Sequence, residues 1–540
     1  MKKLIALLLA LVMVFGMVAC GNEKAPEAAP EKAPEAAPEK TPEAVPEAET
    51  KEPGIVKVLT TPFSTETDAA DLAIFAQMEE ALNIKFEFEI VTDIEQVVST
   101  QIAAGGVTAD IFRCGSISGE VLAASGTVVT LSDYFDTTLA DAAAVLESND
   151  YLKRAVTCAD GNVYWLPKYY TAPISSIPMI RQDWLDKLNL ETPTTIEELH
   201  DVLVAFRDGD PNGNGEADEI PYDTMQLSYT WLYTAPWFGI EPVACWYQMA
   251  LDDNGNVESW LTTEEGKALI TTLNQWYEEG LLFNDLANEN TDIYTEHLLA
   301  DRIGFNTYGN YSMGYDAAVE AATPGSGAKY VFLEPPTTGY GTTGVRMGGI
   351  SSTLHYISSK GENIEDALRV FNYCFSEAGG RANTCGVEGE HYVINDDGTL
   401  ALGPAYEGKT FEEMATLRNV EVGYNMHASF PIYVTSTVNN FQGLFSEFGS
   451  KDAEAYDKLL SDDKFTHQGE VQFRFTPEEV ETLTELQGLS KSYIEGELAK
   501  FICGTRDMAE WDAFVETLYN EYSLAEQVEL YATCYARSQG

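Results

Sequence analysis

The chain has 540 residues, of which 45% are hydrophobic and 22% are charged, and its formal net charge is −54. This acidic balance argues against binding to nucleic acid and against an anionic ligand attracted by the overall field. A chain of this length is too large for one hydrophobic core, so at least two lobes are expected.

The first nineteen residues have the pattern of an export signal. Two lysines precede an apolar run over residues 4–18, and Ala19 stands immediately before Cys20. A charged start, a short apolar stretch and a small residue at the cut are typical of a cleaved signal. Residues 17–21, MVACG, resemble a bacterial lipobox, which implies that Cys20 carries lipid and becomes the N-terminus. An ordinary secretory signal with a chance cysteine is the alternative.

Residues 23–53 repeat the pattern APEAAPEK with small variations. Such a segment has little apolar surface to bury and repels itself, so it is expected to stay extended and solvated. We therefore predict a disordered tether over residues 20–54. The lipid on Cys20 is the only membrane attachment expected, because no other stretch of about twenty apolar residues is present.

The segment after the tether alternates between strand and helix patterns. Strands are predicted at 55–60, 85–91 and 109–113, with helices near 68–82 and 94–104. This βαβαβ order predicts a parallel sheet covered by helices. Ligands meet such sheets outside the carboxyl ends of the strands, which makes Arg113 a candidate ligand contact. A surface salt bridge is the alternative for Arg113.

A capped helix and an acidic loop follow later in the chain. Thr195, with Glu198 three residues on, predicts a helix that ends near Arg207. The loop after this helix carries oxygen ligands at closely spaced positions, namely Asp210, Asn212, Asn214, Asp218 and Glu219, with the backbone carbonyl of Glu216.

This spacing, with Gly215 at the turn, is typical of a loop that wraps one Ca²⁺. Pro221 stands where an EF-hand loop has its bidentate Glu, so Glu219 would have to supply the closing carboxylate. A polar Asn-Gly turn without an ion is the alternative.

Residues 181–221 resemble one family closely. The segments RQDWLDKLNL, PTT and DPNGNGEADEIP match the pattern of extracellular solute-binding proteins that deliver oligosaccharides to ABC importers. The resemblance implies a structural Ca²⁺ in the loop. It also implies an α/β, periplasmic-binding-protein-like fold, with two α/β lobes joined by a hinge and additional C-terminal helices.

Three further segments follow the same family pattern. GNVYWLPKYY, residues 161–170, resembles the crossover between lobes beside the ligand, which makes Tyr170 a candidate contact. GFNTYGNYSM contains the candidate Tyr308, and GVEGEHY contains the candidate His391. A structural role is the alternative for the histidine.

Aromatic residues crowd the stretch 231–247, which Pro236 and Gly239 interrupt. Flat aromatic faces suit the C–H faces of sugar rings. We therefore expect Trp231 or Trp237 to contact the ligand, and packing in the core is the alternative.

Seven cysteines remain besides Cys20, with no CxxC motif and no paired histidine. This pattern argues against a zinc site and against a full disulfide framework. Most of these cysteines are expected to be small buried hydrophobic residues.

These features predict a monomeric, lipid-anchored receptor on the extracellular face of the bacterial cytoplasmic membrane. It would capture an oligosaccharide in an interlobe cleft, pass it to the permease subunits of an ABC transporter and perform no chemistry. Lobe 1 is expected at about 55–168 with a returning segment near 300–350, and lobe 2 at about 169–300 with most of 351–540.

Two alternatives remain open at this point. One is a secreted calcium-dependent enzyme acting on a polysaccharide, although the chain has no nucleophile elbow, HExxH motif or phosphate loop. The other is the same fold binding a peptide or another polar solute.

Replacing Cys20 with Ala should abolish lipid attachment, because only the cysteine thiol can be acylated at this position. We expect the variant to be released from the membrane fraction or to keep its signal. Fractionation followed by mass spectrometry of the N-terminus measures both outcomes. A C20A protein that is processed and retained on membranes like the wild type would refute the lipoprotein prediction.

Overall fold

The computed structural model describes residues 52–61, 72–115, 117–170, 177–244, 249–252, 254–309, 315–341, 346–347, 350–423, 430–435, 437–438, 441, 444–445, 467–468 and 473–539. The predicted signal, and the predicted tether up to residue 51, lie outside this part. Within the described ranges, no helix has both the length and the apolar character needed to cross a bilayer.

The α-helices lie mostly between strands in the first three quarters of the chain and follow one another at its C-terminal end. They are α1 Ala73–Leu82, α2 Ile94–Ala103, α3 Gly119–Ala124, α4 Ala140–Glu147, α5 Asp150–Val156, α6 Gln182–Leu188, α7 Ile196–Asp208, α8 Leu227–Leu232, α9 Glu264–Glu278, α10 Thr291–Leu299, α11 Tyr315–Ala322, α12 Ile364–Cys374, α13 Glu377–Cys385, α14 Phe411–Leu417, α15 Pro477–Ile502, α16 Trp511–Glu521 and α17 Leu524–Gln539.

The strands fall into two main sheets and three small ones. They are β1 Gly54–Thr60, β2 Ile84–Ile90, β3 Ile111–Cys114, β4 Trp165–Tyr170, β5 Ile177–Arg181, β6 Ile220–Tyr222, β7 Glu241–Ala244, β8 Met249–Leu251, β9 Val257–Ser259, β10 Ile303–Gly309, β11 Tyr330–Phe332, β12 Arg346–Met347, β13 Ile350–Ile357, β14 Tyr392–Ile394, β15 Leu400–Leu402, β16 Ile432–Val434 and β17 His467–Gln468.

The first main sheet has six strands in the order β16-β4-β13-β3-β1-β2. Strand β1 pairs in parallel with both β2 and β3, with Val58 opposite Phe88 and Ile111. The predicted βαβαβ unit is therefore present, and its helices cover a core that includes the fully buried Val56 and Phe112. Strand β13 runs antiparallel between β3 and β4.

The second main sheet has four strands in the order β11-β5-β10-β6. Strand β10 is parallel to β6 and antiparallel to β5, and β11 is also antiparallel to β5. Helix α7 packs its apolar face on this sheet through Leu199, Leu203 and Phe206, which are fully buried. The helices α15, α16 and α17 pack on the same core.

The segment that returns to the first sheet lies later in the chain than predicted. Residues 303–309 and 330–332 belong to the second sheet, whereas residues 350–357 and 432–434 belong to the first. The prediction of a return near 300–350 therefore differs from the observed strand order. The reason is that β10 and β11 find their partners on either side of β5, a pairing between distant segments that local sequence pattern does not reveal.

Two chain connections described below run between the two main sheets, and both start and end at the same edge of each sheet. Residues 171–176 connect the end of β4 in the first sheet to the start of β5 in the second. Residues 333–349 connect the end of β11 in the second sheet to the start of β13 in the first. The register places Gly309 opposite Ile177 and Ile350 opposite Tyr169. Both connections thus join the carboxyl edge of one sheet's parallel strands to that of the other.

The buried guanidinium of Arg181 ties several elements of the second sheet together. Its Nε and Nη2 atoms donate to the two carboxylate oxygens of Asp183 at 2.7 and 2.8 Å, and Nη1 donates to Asp301 Oδ1 at 2.5 Å. The guanidinium also lies 4.6 Å from the ring centre of Trp184 and 5.4 Å from that of Tyr330. One side chain therefore joins the end of β5, the start of α6 and the turn between α10 and β10.

Helix α7 begins as its capping residues predict. The Thr195 hydroxyl accepts from the Glu198 N–H at 3.1 Å. In a capping box the Glu198 carboxylate would accept from the Thr195 N–H. Here it accepts from the Thr194 N–H, one residue earlier, at 2.8 Å. The cap places the end of α7, and hence the acidic loop that follows, against the second sheet.

No disulfide joins the cysteines within the described ranges. Five of them are buried, and they include Cys374 and Cys385, which are close in sequence. The Cys374 sulfur lies 3.6 Å from Met78 Sδ and accepts from Asn383 Nδ2 at 3.3 Å. Burial raises the pKa of Cys374 to about 12, as expected of an inert thiol packed in a core.

Changing Asp301 to Asn should destabilise the fold, because it weakens a buried, charge-assisted hydrogen bond to Arg181. Asn also tolerates the left-handed backbone at this position, where φ is 61°. We expect a loss of about 2 kcal/mol in the free energy of unfolding, measured by urea denaturation. The control is Glu362→Gln, which breaks an exposed ion pair with Lys57. Equal and small effects in both variants would contradict the role given to Arg181.

Candidate functional site

Arg113 lies at the carboxyl edge of the first sheet, close to the end of β3. Its Nη2 atom donates to the Thr61 hydroxyl at 2.6 Å, and its buried Nε has no hydrogen-bond partner. Burial lowers the pKa of Arg113, and the nearby Glu95 opposes that shift. The structure therefore places Arg113 where the sequence predicts it, with donor capacity left for a ligand.

Strand β4 brings two further side chains to this edge. Tyr169 is buried, its hydroxyl accepts from Asn149 Nδ2 at 2.6 Å, and its ring stacks on Tyr433 with 6.1 Å between centres. The residue before it, Lys168, was not predicted from the sequence. Burial lowers the pKa of its side chain to about 7. The side chain of the predicted candidate Tyr170 lies outside the described part of the structure.

Trp231 and Trp237 are core residues, which corrects the prediction that they form open platforms for sugar. Their side chains are 4% and 1% exposed, and both belong to the core of the second sheet. The Pro and Gly near them do not mark an open surface. They mark a short 3₁₀-helix, Ala235–Phe238, that follows α8 and turns its aromatic rings inward.

Tyr340 is an exposed aromatic residue that the sequence analysis overlooked. It lies in the connection from β11 to β13, its side chain is 47% exposed, and its ring centre is 6.4 Å from that of Phe238. The turn that carries it is anchored where the Thr338 hydroxyl donates to the Trp237 carbonyl at 2.7 Å. The available signal was a lone aromatic in a run of Gly and Thr, residues 337–344.

The two remaining predicted ligand contacts gain no support. His391 is buried, accepts from the Val387 N–H through Nδ1 at 3.1 Å, and packs edge-on against Tyr406. Burial lowers its pKa. These contacts correct the prediction for His391 and match the structural alternative. The side chain of Tyr308 lies outside the described residues, although its backbone belongs to β10.

A cavity of about 450 Å³ lies away from the carboxyl edges, between α4, α5 and the end of α17. Its lining includes the basic residues Lys153, Arg154 and Arg474, and it includes none of the predicted ligand contacts. The cavity therefore lies apart from the predicted ligand contacts.

Side-chain oxygens of the acidic loop accept hydrogen bonds from backbone N–H groups of the same loop. Asp210 has left-handed φ of 45°, and its Oδ1 accepts from the Gly215 N–H at 3.3 Å. Asn212 Oδ1 accepts from the Asn214 N–H at 3.0 Å, and Asn214 Oδ1 accepts from the Glu216 N–H at 2.7 Å. These bonds curl the chain so that its oxygens point inward.

Asp218 sits at the centre of the loop. The amide groups of Asn212 and Asn214 donate to its Oδ1 at 3.2 and 2.9 Å. Arg302 Nε donates to its backbone carbonyl at 2.7 Å and lies 3.3 Å from its Oδ2. Arg302 follows Asp301, so the loop rests on the same turn that Arg181 holds.

Glu219 provides the test of whether the loop suits a cation. Both of its carboxylate oxygens are buried and have no hydrogen-bond partner. Burial raises the pKa of Glu219, and the charges of Asp218 and Asp210 raise it further. An orphaned carboxylate beside two others fits a Ca²⁺ ligand set, with the amides of Asn212 and Asn214 turning their oxygens to the ion.

Comparisons with known proteins agree with this architecture. A sequence model of the family described as bacterial extracellular solute-binding protein matches residues 63–381. FusA, a fructooligosaccharide ABC transporter substrate-binding protein from Streptococcus pneumoniae, is 27% identical over 239 residues, which are 42% of this chain and 41% of FusA. The chain thus matches less than half the length of its curated relatives.

Solved structures cover far more of the chain. An extracellular solute-binding protein from Bifidobacterium longum subsp. infantis has a TM-score of 0.72 at 22% identity and covers 90% of this chain and 99% of that one. An EF-hand mutant of S. pneumoniae FusA in complex with fructo-nystose has a TM-score of 0.68 at 20% identity, with the same coverage. The predicted two-lobed, periplasmic-binding-protein-like fold is confirmed.

Proposed function

Because the chain belongs to the bacterial extracellular solute-binding protein family, we propose that it captures an oligosaccharide between its two lobes and delivers it to the permease of an ABC importer. The observation that carries this proposal is that two connections between the main sheets leave and enter them at their carboxyl edges. Ligands of open α/β sheets bind at such edges.

The side chains at these edges support a sugar ligand. Arg113 supplies hydrogen-bond donors from the first sheet, and Tyr340 supplies an exposed aromatic face beside the second. An aromatic face can cover the C–H surface of a sugar ring while polar donors bind its hydroxyls. The net charge of −54 favours a neutral oligosaccharide over an acidic one, in keeping with the fructooligosaccharides after which FusA is described.

We also propose that the protein is held at the extracellular face of the membrane by lipid on Cys20, with residues 20–54 as a flexible tether. A tether of some thirty residues in extended polyproline conformation would reach at most about 90 Å. This reach would let the receptor meet the permease subunits without leaving the cell surface. The receptor would act as a monomer.

A structural Ca²⁺ in the acidic loop forms part of this proposal. Asp210, Asn212, Asn214, Asp218 and Glu219 would hold it through side-chain oxygens, and Glu216 through its backbone carbonyl. The ion would neutralise three neighbouring carboxylates and lock the loop against the turn at Asp301 and Arg302. Its role would be stabilisation, since the loop enters β6 at the end opposite the carboxyl edge.

The enzyme alternative gains nothing from the candidate edge. Arg113, Lys168 and Tyr340 offer donors and an aromatic face, and Glu95, a carboxylate near Arg113, accepts from the Gly115 N–H at 2.9 Å. We propose stoichiometric binding without turnover. A ligand recovered intact after prolonged incubation supports the receptor, and shortened products would support an enzyme.

Changing Tyr340 to Ala should weaken oligosaccharide binding without unfolding the protein, because the ring is exposed. We expect a loss of about 1–2 kcal/mol, or roughly five- to thirtyfold in Kd, measured by calorimetry with neutral fructooligosaccharides. Tyr519→Ala is the matched control, since that ring on α16 is 48% exposed. Unchanged affinity in Y340A, or preference for an acidic oligogalacturonide in the wild type, would contradict the proposed ligand site.

Calcium should raise the melting temperature of the wild type, and Glu219→Gln should abolish most of that rise, because the amide cannot neutralise the ion. The control is Glu216→Gln, which alters an exposed side chain but keeps the proposed carbonyl ligand. Because the pKa of Glu219 is raised in the ion-free fold, its ionisation costs stability as the pH rises through that pKa. The calcium-induced rise should therefore shrink on acidification. A Ca²⁺ response that survives in E219Q would refute the ligand assignment.

A further inference from the structure

A second group of metal-ligand side chains lies apart from the acidic loop. Asp223, Glu289 and His297 are buried, with exposures of 0, 8 and 7%, and one ligand atom of each lies within 4.8 Å of the others. Asp223 follows the carboxyl end of β6, Glu289 precedes α10, and His297 lies on α10. None of these residues belongs to the oligosaccharide site or to the calcium loop proposed above.

Two side chains of this group pair with each other, and the third, Glu289, has no hydrogen-bond partner for its carboxylate among the described residues. His297 Nδ1 lies 2.7 Å from Asp223 Oδ2, and Asp223 Oδ1 accepts from the Thr224 N–H at 2.8 Å. Glu289 is more than nine-tenths buried, and both of its carboxylate oxygens lack a hydrogen-bond partner. An unpaired buried carboxylate is costly, so it must be neutralised by a proton or by a bound cation.

We propose that Asp223, Glu289 and His297 bind one divalent transition-metal ion of the Zn²⁺ class. Ca²⁺ and Mg²⁺ prefer sets made only of oxygen, whereas one imidazole with two carboxylates suits Zn²⁺ and its neighbours in the first transition row. Three protein ligands leave a fourth position for water. The His297 ring is held in place by Phe283, whose ring centre lies 4.5 Å away.

This site is separate from the proposed calcium loop. The loop precedes β6, and Asp223 follows it, so the three residues of the strand put about 10 Å between the two places. The spacings between the ligands, 66 residues and then 8 along the chain, match no short metal motif. The absence of a CxxC motif and of paired histidines, on which the sequence argued against a zinc site, does not bear on a ligand set of this kind.

A metal ion here would tie together the end of β6, the segment before α10 and α10 itself. Without the ion, burial and the charge of Asp223 raise the pKa of Glu289 to about 8, so the carboxyl group is mostly protonated at neutral pH. Metal binding would displace that proton.

The test uses the full, tag-free chain after treatment with a chelator. Zn²⁺ is titrated by calorimetry in the presence of saturating Ca²⁺, which occupies the acidic loop, and bound metal is counted by mass spectrometry. We expect one Zn²⁺ per chain and a rise in melting temperature. Glu289→Gln should weaken binding at least about tenfold, while the protein stays folded because Gln mimics the protonated glutamate.

Two further variants separate this site from others. Glu296→Gln changes an exposed carboxylate on the same helix and should leave Zn²⁺ binding unchanged. His297→Gln should abolish the visible absorption expected when Co²⁺ replaces Zn²⁺ at a site with a nitrogen ligand. Absence of Zn²⁺ binding by the wild type, or equal binding by E289Q, would overturn the proposal and leave a protonated Glu289 as the means of neutralisation.

Discussion

The second lobe depends on one buried cation. Arg181 is completely enclosed, and its guanidinium is held between the carboxylates of Asp183 and Asp301 and the rings of Trp184 and Tyr330. A buried charge tolerates no loss of its partners, so the strand, the helix and the turn that supply them must keep one arrangement. The acidic loop rests on the neighbouring Arg302 and inherits that rigidity.

The second lobe also buries negatively charged groups. A chain with a net charge of −54 holds most of its carboxylates in solvent, yet the carboxylate oxygens of Glu219 and Glu289 are buried without hydrogen-bond partners. Each of the two lies near another carboxylate, Glu219 near Asp218 and Glu289 near Asp223. Both positions are places where this acidic protein would gain most from a bound cation, which links the calcium loop and the cluster around Asp223 to one physical cause.

Local features of the structure followed from sequence, and contacts between distant segments did not. The strands and helices of the βαβαβ unit and the Thr195 cap depend on residues a few positions apart, and each was predicted. The position of β10 in the second sheet required knowledge of its partners.

The predicted ligand contacts also depended on packing between distant segments. Trp231 and Trp237 were chosen for their chemistry, which suits a sugar platform and a core equally well, and only burial distinguishes the two. Tyr340 has the same chemistry but is exposed by a turn anchored to the Trp237 carbonyl. At the proposed site, a sugar chain that touches both Tyr340 on the second lobe and Arg113 on the first would have to span the gap between the lobes. A shorter chain would contact one lobe only, so a receptor that uses both side chains would favour longer oligosaccharides.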